Sequence, residues 1–352
     1  MRPTGTFDKD YGQDMAILRT RFQWIMMLLL LVSVFCIFPL FANDNLLGIA
    51  NLMGIITIAA LGLNILIGYC GLISIGHAAF VGVGAYFSAI FAVHLGLPFW
   101  AGIPLAGIST ALVGIFFGLP SLRIKGMYLA MSTLAAHFII IWLIIHGGEL
   151  TGGVNGLTLP KAQFGDFIFN TETRWYFLII GLLAIMTYLA KNLVRTRTGR
   201  AFIAIRDNDL AAGIMGVDVF KYKLIAFAAG SVYAGIAGGL QAYYYGSITA
   251  MQFPLSDSIW YIGYLIVGGM GSITGTILGV VSLKLLSQLV MLGGPTIGQV
   301  FPAISGSFAS GFLQIALSLV IIMFLVFEPR GLYHRFELMK SSVRIWPFPY
   351  PR

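Results

Sequence analysis

The sequence predicts an all-α fold, a polytopic bundle of membrane-spanning helices. Of the 352 residues, 58% are hydrophobic and 10% are charged, which leaves too little polar surface to cover a water-soluble globule of this size. Apolar runs of about 17–25 residues, the length that crosses a hydrocarbon core, recur along the chain. A membrane β-barrel would show alternating segments of about 10 residues, which the continuous run at residues 24–41 contradicts. Glycines inside the runs, such as Gly235 and Gly239, predict closely packed helices.

Breaks at glycine, proline and charged residues divide the chain into about ten predicted spans. These are residues 22–41, 47–67, 73–96, 98–119, 127–147, 174–191, 223–245, 257–271, 274–292 and 309–327. Two glycine-rich junctions, residues 68–71 and 268–271, could instead belong to broken or re-entrant helices, because irregular backbone is tolerated at membrane depth only where protein or a water-filled path satisfies it. We therefore expect a cytoplasmic segment of residues 1–21, a membrane domain of residues 22–330 and a cytoplasmic tail of residues 331–352.

The distribution of basic residues predicts the orientation of the bundle. Lysine and arginine are retained on the cytoplasmic side when short loops are sorted during insertion. The longest polar interruption, residues 191–223, contains seven of them, so we expect it in the cytoplasm together with both termini. The charges form no patch interleaved with aromatic residues, which argues against nucleic acid as a partner and favours anionic lipid headgroups.

The sequence contains no motif of an enzyme or a metal site. No Gly-Lys dipeptide occurs, so the chain lacks a Walker A loop. The five histidines show no zinc-ligand spacing, and no Gly-x-Ser-x-Gly elbow has a histidine and an acid to act with it. Both cysteines fall in apolar segments, which argues against a disulfide framework. We therefore expect a non-enzymatic chain without a cofactor of its own.

Several polar residues in the predicted spans are candidates to line a path through the membrane. They are Asn51, Asn64, His77, Gln241, Tyr244 and Lys284. Lys284 is the one formal charge deep in a predicted span, and such a charge is costly unless it pairs, faces water or snorkels to an interface. It marks a functional or inter-subunit face, or else the span boundaries differ and it reaches the interface. For His77, a packed and hydrogen-bonded ring is expected over a proton relay.

Within the basic loop, the sequence predicts a short surface helix. One of the polar residues at 207–209 can cap its start, residues 210–215 fill it, and Gly216 suits a left-handed stop. We expect Ala211 and Ala212 on its surface, where two small side chains let a partner approach closely. An amphipathic helix lying on lipid is the alternative, although this helix is short and small-sided for a lipid anchor.

Six segments carry a family resemblance, in the same order along the chain. They are residues 61–80, 122–130, 151–157, 199–224, 267–275 and 328–332. Together, from about residue 46 to residue 332, they resemble the membrane-spanning permease subunits of branched-chain amino-acid ABC importers of the LivM type. The resemblance implies half of a translocation pathway for branched-chain or hydrophobic amino acids in the inner membrane, operating by alternating access.

The resemblance also implies a contact with a cytoplasmic ATPase. Ala211, Ala212 and Gly216 match the Glu-Ala-Ala-x-x-x-Gly coupling loop of the family, which docks into a cleft of the ATPase. Leu210 stands in place of the glutamate, and acidic Asp209 comes just before it. This departure removes the basis for a particular salt bridge at the contact but leaves the docking itself as an expectation.

The partners implied by the resemblance are a second, homologous permease subunit, two cytoplasmic subunits that bind ATP and Mg²⁺, and a periplasmic substrate-binding protein. A heterodimeric pore is expected over a homodimer. One alternative is a permease of the same family for urea or short amides. Another is an ion-gradient-driven secondary transporter, which would need intramembrane carboxylates for coupling, whereas Asp257 and Glu328 fall at the ends of predicted spans.

Overall fold

In the computed structural model, the described residues are 21–121, 126–165, 167–300, 315, 318–324, 326–328 and 330–345. Most of them are helical, which confirms the all-α fold class. The helices in chain order are α1 (Arg21–Val32), α2 (Phe38–Phe41), α3 (Asp44–Leu63), α4 (His77–Val93), α5 (Phe99–Ser121), α6 (Met127–Ile145), α7 (Glu172–Arg195), α8 (Arg197–Asp207), α9 (Asp209–Ile214), α10 (Val219–Tyr245), α11 (Leu255–Gly268), α12 (Ile273–Val300) and α13 (Gly331–Ile345). Short π-helical segments, Ser33–Ile37 and Asn64–Tyr69, continue α1 and α3.

Short strands stabilise the connection between α6 and α7. They are β1 (Leu157–Thr158), β2 (Gln163–Phe164), β3 (Phe167–Ile168) and β4 (Ser247–Ile248). β1 pairs antiparallel with β4, which directly follows α10, and β2 pairs antiparallel with β3. Gly246 takes a left-handed conformation with φ 72° at the end of α10, which turns the chain into β4. The loop after α6 is thereby fixed to the end of α10.

Five helical stretches among the described residues are long and apolar enough to cross a membrane. They are Asp44–Tyr69, Phe99–Ser121, Met127–Ile145, Glu172–Arg195 and Val219–Tyr245. A sixth candidate is the pair Ala250–Gly268 and Ile273–Leu289, which is bent by 114° at its break. Shorter apolar helices are Ile25–Phe41 and α4.

The prediction of about ten spans is therefore not confirmed, and the cytoplasmic location of both termini stays a prediction. The expected break at residues 268–271 is confirmed by the bend between α11 and α12. The chain is also irregular after Tyr69, at the other glycine-rich junction. The predicted span at residues 309–327 lies partly outside the described residues, and residues 1–20 lie outside them altogether.

α10 packs against α3, α4 and α5 and organises the interior of the bundle. Small residues allow this approach. A Cβ atom built on Gly84 of α4 would lie 2.3 Å from the Cα atom of Gly235 on α10. Because a backbone atom cannot rotate away as a side chain can, any larger residue at this position forces the helices apart. The close packing expected from the glycines is confirmed.

Gly84→Ala tests this packing directly. The added Cβ would overlap the backbone of α10, so we expect the free energy of unfolding to fall by about 1–3 kcal/mol, as overpacking usually does. Thermal unfolding of the purified protein in detergent measures the change.

The matched control is Gly181→Ala, because a Cβ atom built on Gly181 of α7 meets nothing within 4 Å. Alanine favours a helix over glycine by about 1 kcal/mol, so this variant should be neutral or slightly more stable. Equal destabilisation by the two substitutions would contradict backbone packing at Gly84.

Candidate functional site

A cavity of about 430 Å³ lies between α3, α10, α11 and α12. Aliphatic side chains of α3 line one wall, among them Leu52, Ile55 and Ile56. Aromatic side chains of α11 line another, including Tyr261 and Tyr264. Small-molecule sites in proteins are concave, mostly apolar, and range over about 300–1,000 Å³. The cavity therefore has the size of a binding site for a small molecule, and it combines apolar walls with several polar groups.

Two opposite charges face this cavity. Asp257 lies in the first turn of α11, and Lys284 lies on α12. The bend between α11 and α12 brings both helices to the same cavity, and the two charges are near enough to interact. Among the described residues, however, no ion pair within 4.0 Å joins them. Lys284 was expected to mark a functional or inter-subunit face. The structure adds a nearby counter-charge, Asp257, which the sequence interpretation had placed at the end of a span.

The structure distributes the other path candidates among several positions. Gln241 lines the cavity together with Lys284. Asn51 and Tyr244 instead meet at the carboxylate of Glu172, where the Asn51 Nδ2 atom and the Tyr244 hydroxyl each donate to Oε2 at 2.8 Å. Asn51 Nδ2 also donates to the main-chain oxygen of Glu172 at 3.1 Å. These contacts bind α3, α7 and α10 together, and the assignment of Asn51 and Tyr244 to a path stays untested.

His77 is fully buried at the start of α4. Its Nε2 atom lies 2.8 Å from the main-chain oxygen of Ala59, and its ring contacts Tyr261 edge to face with centroids 5.6 Å apart. A packed and hydrogen-bonded histidine is what the sequence led us to expect. His77 thus lies behind the aromatic wall of the cavity, supporting Tyr261.

Asn64 connects the two glycine-rich junctions. Its Oδ1 atom accepts a hydrogen bond from the Gly271 amide at 3.0 Å, and its Nδ2 atom donates to the Ser272 carbonyl at 3.1 Å. On the same side, the guanidinium of Arg206 donates from Nη1 to the Gly68 carbonyl at 2.8 Å. One side-chain amide and one guanidinium therefore satisfy backbone groups where the helices are interrupted.

The short helix expected in the basic loop is present as α9. Asn208, one of three candidate caps, accepts hydrogen bonds at Oδ1 from the amides of Leu210 and Ala211 at 3.1 and 3.0 Å. Gly216 has φ 87°, the left-handed conformation expected after the helix. These features confirm the helix, its polar cap and its glycine stop.

The side chains of α9 divide into an anchored set and an exposed set. Leu210 is 68% exposed and Ile214 is 86% exposed, and Ala211 is exposed as well. Ala212 is only 5% exposed, so the expectation that both alanines lie on the surface is wrong for Ala212. In a six-residue helix the two adjacent positions point in directions about 100° apart, and the second packs into the bundle.

An ion pair attaches α9 to the long helix α10. The Lys223 Nζ atom lies 3.4 Å from Oδ2 of Asp209, and the Lys223 side chain is 10% exposed. Asp209 and Lys223 line a groove of about 410 Å³, and Cys70 lies in its wall as well. Burial raises the pKa of the Cys70 thiol to about 12, although the positive charge of Lys223 acts in the opposite direction. The thiol therefore stays protonated near neutral pH and offers no nucleophile.

Among the described residues, no group of three or more His, Cys, Asp or Glu residues could hold a metal ion. A bundle of apolar helices with a cavity and a capped surface helix is the architecture of a multi-pass membrane protein. The sequence model of one protein family, described as the permease component of branched-chain amino acid transport systems, matches residues 45–328 of this chain. The chain belongs to this family.

Individual relatives agree with the family match. LivM, the high-affinity branched-chain amino acid transport permease of Salmonella typhimurium, is 32% identical in an alignment 302 residues long that covers 76% of this chain and 71% of the relative. LivM of Escherichia coli is 32% identical in an alignment 289 residues long that covers 73% of this chain and 68% of the relative. A probable LivH permease of Methanocaldococcus jannaschii is 24% identical over 291 residues, covering 79% and 88%. No solved structure matches the chain.

Asn64→Leu is expected to lower the free energy of unfolding by about 1–3 kcal/mol, because it leaves the Gly271 amide without its acceptor and removes one donor from the Ser272 carbonyl, which keeps its bonds from Thr276. Unfolding by heat or by a denaturing detergent measures the loss. The control is Thr57→Val on the same helix. The buried Thr57 hydroxyl donates to the Met53 carbonyl of its own helix at 2.6 Å, so its removal leaves no inter-helix contact broken. Similar losses in both variants would contradict a bridging role for Asn64.

Proposed function

We propose that the chain forms half of the membrane pathway of an ATP-driven importer for branched-chain and other hydrophobic amino acids. The single observation that carries the proposal is the exposed apolar face of α9, a helix that is attached to the bundle by the buried side chain of Ala212 and by the ion pair of Asp209 with Lys223. Exposed apolar side chains grouped on one short element mark an interaction site. In a member of this family, such a site is best explained by a cytoplasmic ATPase that drives transport.

The assembly that we propose contains four kinds of subunit. A second, related permease completes the pathway, and the resemblance of the chain to both LivM and LivH proteins supports a heterodimer. Two cytoplasmic subunits bind ATP and Mg²⁺ and press against the permeases. A periplasmic protein delivers the amino acid. The whole complex lies in the inner membrane, with α9 on the cytoplasmic face.

Two contacts can carry motion of α9 into the membrane helices. The first is the ion pair of Asp209 with Lys223, at the beginning of α10. The second starts at Arg206 in α8, the helix directly before α9, and reaches the Gly68 carbonyl at the end of the π-helical segment of α3. Both contacts lead to helices that line the cavity, so a displacement of α9 would move the walls of the cavity.

Alternating access requires that the ATPase prefer one arrangement of these helices over the other. A partner can shift a conformational equilibrium only by its differential affinity for the two states. We propose that the ATP-bound dimer of ATPases holds the two copies of the coupling helix close together, and that release of the products lets them separate. The permease then opens to opposite sides of the membrane in turn.

Reconstitution into liposomes tests the proposed function. The chain, its permease partner, both ATPases and the binding protein should together accumulate leucine, isoleucine or valine only when ATP is supplied on the ATPase side. Uptake of urea or short amides in place of amino acids would move the protein to the other branch of the family. Uptake driven by an ion gradient without the ATPases would overturn the proposal.

Ala211→Trp should uncouple ATP hydrolysis from uptake while the protein remains inserted and folded. A bulky ring on the exposed face of α9 would hold the ATPase away from the helix, so we expect uptake to fall at least about 10-fold while ATP hydrolysis continues. Parallel assays of phosphate release and leucine uptake in proteoliposomes measure the two activities.

Ala204→Trp is the matched control, because Ala204 is equally an exposed alanine but lies on α8. It should keep uptake and hydrolysis coupled. If α9 lay on the lipid surface instead, Ala211→Trp would leave uptake unchanged or strengthen membrane attachment, and the docking assignment would fail.

A further inference from the structure

We infer that the cavity between α3, α10, α11 and α12 is a binding site for a zwitterionic α-amino acid, in which Asp257 receives the ammonium group and Lys284 receives the carboxylate. The inference rests on the proposed function and names the residues that would recognise the substrate within the membrane.

The first step is that the two charges influence each other but make no direct contact. Among the described residues, neither the Asp257 carboxylate nor the Lys284 ammonium group has a hydrogen bond or an ion pair within 4.0 Å. Other partly or fully buried charged groups of the bundle do make direct contacts, as Glu172 does with Asn51 and as Lys223 does with Asp209. A partly buried charge without a direct partner is costly, so a ligand that contacts both groups would be favoured.

The second step concerns the net charge of the ligand. One negative and one positive group face the same cavity, so the cavity is neutral as a whole. A ligand with a single charge would satisfy one group and leave the other uncompensated in a low-dielectric region. A ligand that carries both charges satisfies both groups at once. The free backbone ends of an α-amino acid have this combination.

The third step concerns the side chain of the ligand. Leu52, Ile55 and Ile56 form an aliphatic wall, and Trp260 and Tyr264 add aromatic surface. Burial of apolar area against such walls is favourable by about 25 cal/mol per Å², whereas a charged side chain would find no further counter-charge among the described lining residues. The preferred ligand therefore has an aliphatic or aromatic side chain.

The fourth step is that nearby polar groups can refine the recognition. Gln241 and Ser287 line the same cavity and provide further hydrogen-bonding groups. His77 contacts Tyr261 from behind and so supports the aromatic wall. Gln241 was a path candidate from the sequence, and its position in the lining makes it available to the proposed ligand.

Selectivity among three ligands of similar shape tests the site. Leucine carries both charges, α-ketoisocaproate lacks the ammonium group, and isopentylamine lacks the carboxylate. Competition against radiolabelled leucine is measured on the assembled permease and ATPase complex in lipid nanodiscs, without the soluble binding protein. We expect leucine to bind at least about 10-fold more tightly than either analogue, since each lost charge pair weakens binding by about that factor or more.

The two single variants should change selectivity in opposite directions. Asp257→Asn leaves the cavity positive, so leucine should lose its advantage over α-ketoisocaproate and keep its advantage over isopentylamine. Lys284→Gln should produce the reverse pattern. Unchanged selectivity in both variants, or an equal loss of affinity for all three ligands, would overturn the inference.

Two double variants separate recognition from folding. Exchange of the charges, Asp257→Lys with Lys284→Asp, keeps the cavity neutral, and because the ligand can reverse its orientation it should restore the preference for leucine over both analogues. Asp257→Asn with Lys284→Gln removes both charges and should fold at least as well, since unpaired charges no longer need burial. This neutral double variant should bind leucine at least about 10-fold more weakly than the wild type. Wild-type affinity for leucine in this variant would contradict the proposed roles of Asp257 and Lys284.

Parallel uptake assays distinguish this site from the proposed function. If ATP drives leucine uptake but the binding of leucine does not depend on Asp257 or Lys284, the proposed site is wrong and the importer assignment stands. The expected selectivity pattern without any ATP-driven uptake would support the site and overturn the importer assignment.

Discussion

The side chain of Asn64 is the interaction on which the interior of this bundle depends. Two helices are interrupted at glycine-rich junctions, and an interrupted helix at membrane depth exposes backbone groups that lipid cannot satisfy. Asn64 provides both an acceptor for the Gly271 amide and a donor for the Ser272 carbonyl. Among side chains of its length, only an amide offers a neutral donor and acceptor on the same planar group. The junction thus holds the start of α12 against α3, and this placement brings Lys284 to the cavity.

Arg206 connects the same junction to the loop that carries α9. Its guanidinium donates to the Gly68 carbonyl and also pairs with Asp207 at 3.1 Å. Gly271 has φ 78°, a left-handed conformation that favours glycine, and a Cβ atom there would crowd the Arg206 Nη1 atom at 3.0 Å. The loop that carries α9 therefore rests directly on the place where the membrane helices are interrupted. Such a junction can yield to a small displacement more easily than a continuous helix, because fewer hydrogen bonds must be exchanged.

Local features of the fold were accessible from the sequence, whereas pairings between distant residues were not. The Asn208 cap, the Gly216 stop and the break near Gly269 each depend on a few neighbouring residues, so composition and spacing were sufficient. The burial of Ala212 depends on how α9 rests on the bundle, and the partner of Lys284 depends on a bend of 114° between two helices. A lone lysine in a span indicates that a counter-charge is needed, but the sequence interpretation placed Asp257 at the end of a span and did not connect the two.

The predicted span count is not confirmed, for a related physical reason. Hydrophobicity reports that a segment is removed from water, but it does not distinguish a helix that crosses the bilayer from one buried among other helices. α4 has 17 residues and is largely buried, and α11 has 14 residues before its glycine break. Both are apolar because other helices surround them. Short helices inside the bundle are what a transport pathway needs, since polar groups can then be placed at membrane depth without contact with lipid.

The separated charges of the cavity fit the needs of a transporter better than a closed ion pair would. A direct ion pair between Asp257 and Lys284 would have to be broken before a substrate could bind, and its energy would be lost at every cycle. Charges held apart are instead satisfied when the substrate arrives and exposed again when it leaves. A transported substrate must also bind weakly enough to be released. Without a direct partner, the two charges limit the stability of the empty site. A substrate that contacts both charges binds one arrangement of the surrounding helices more tightly than the other, and it therefore shifts the equilibrium between them.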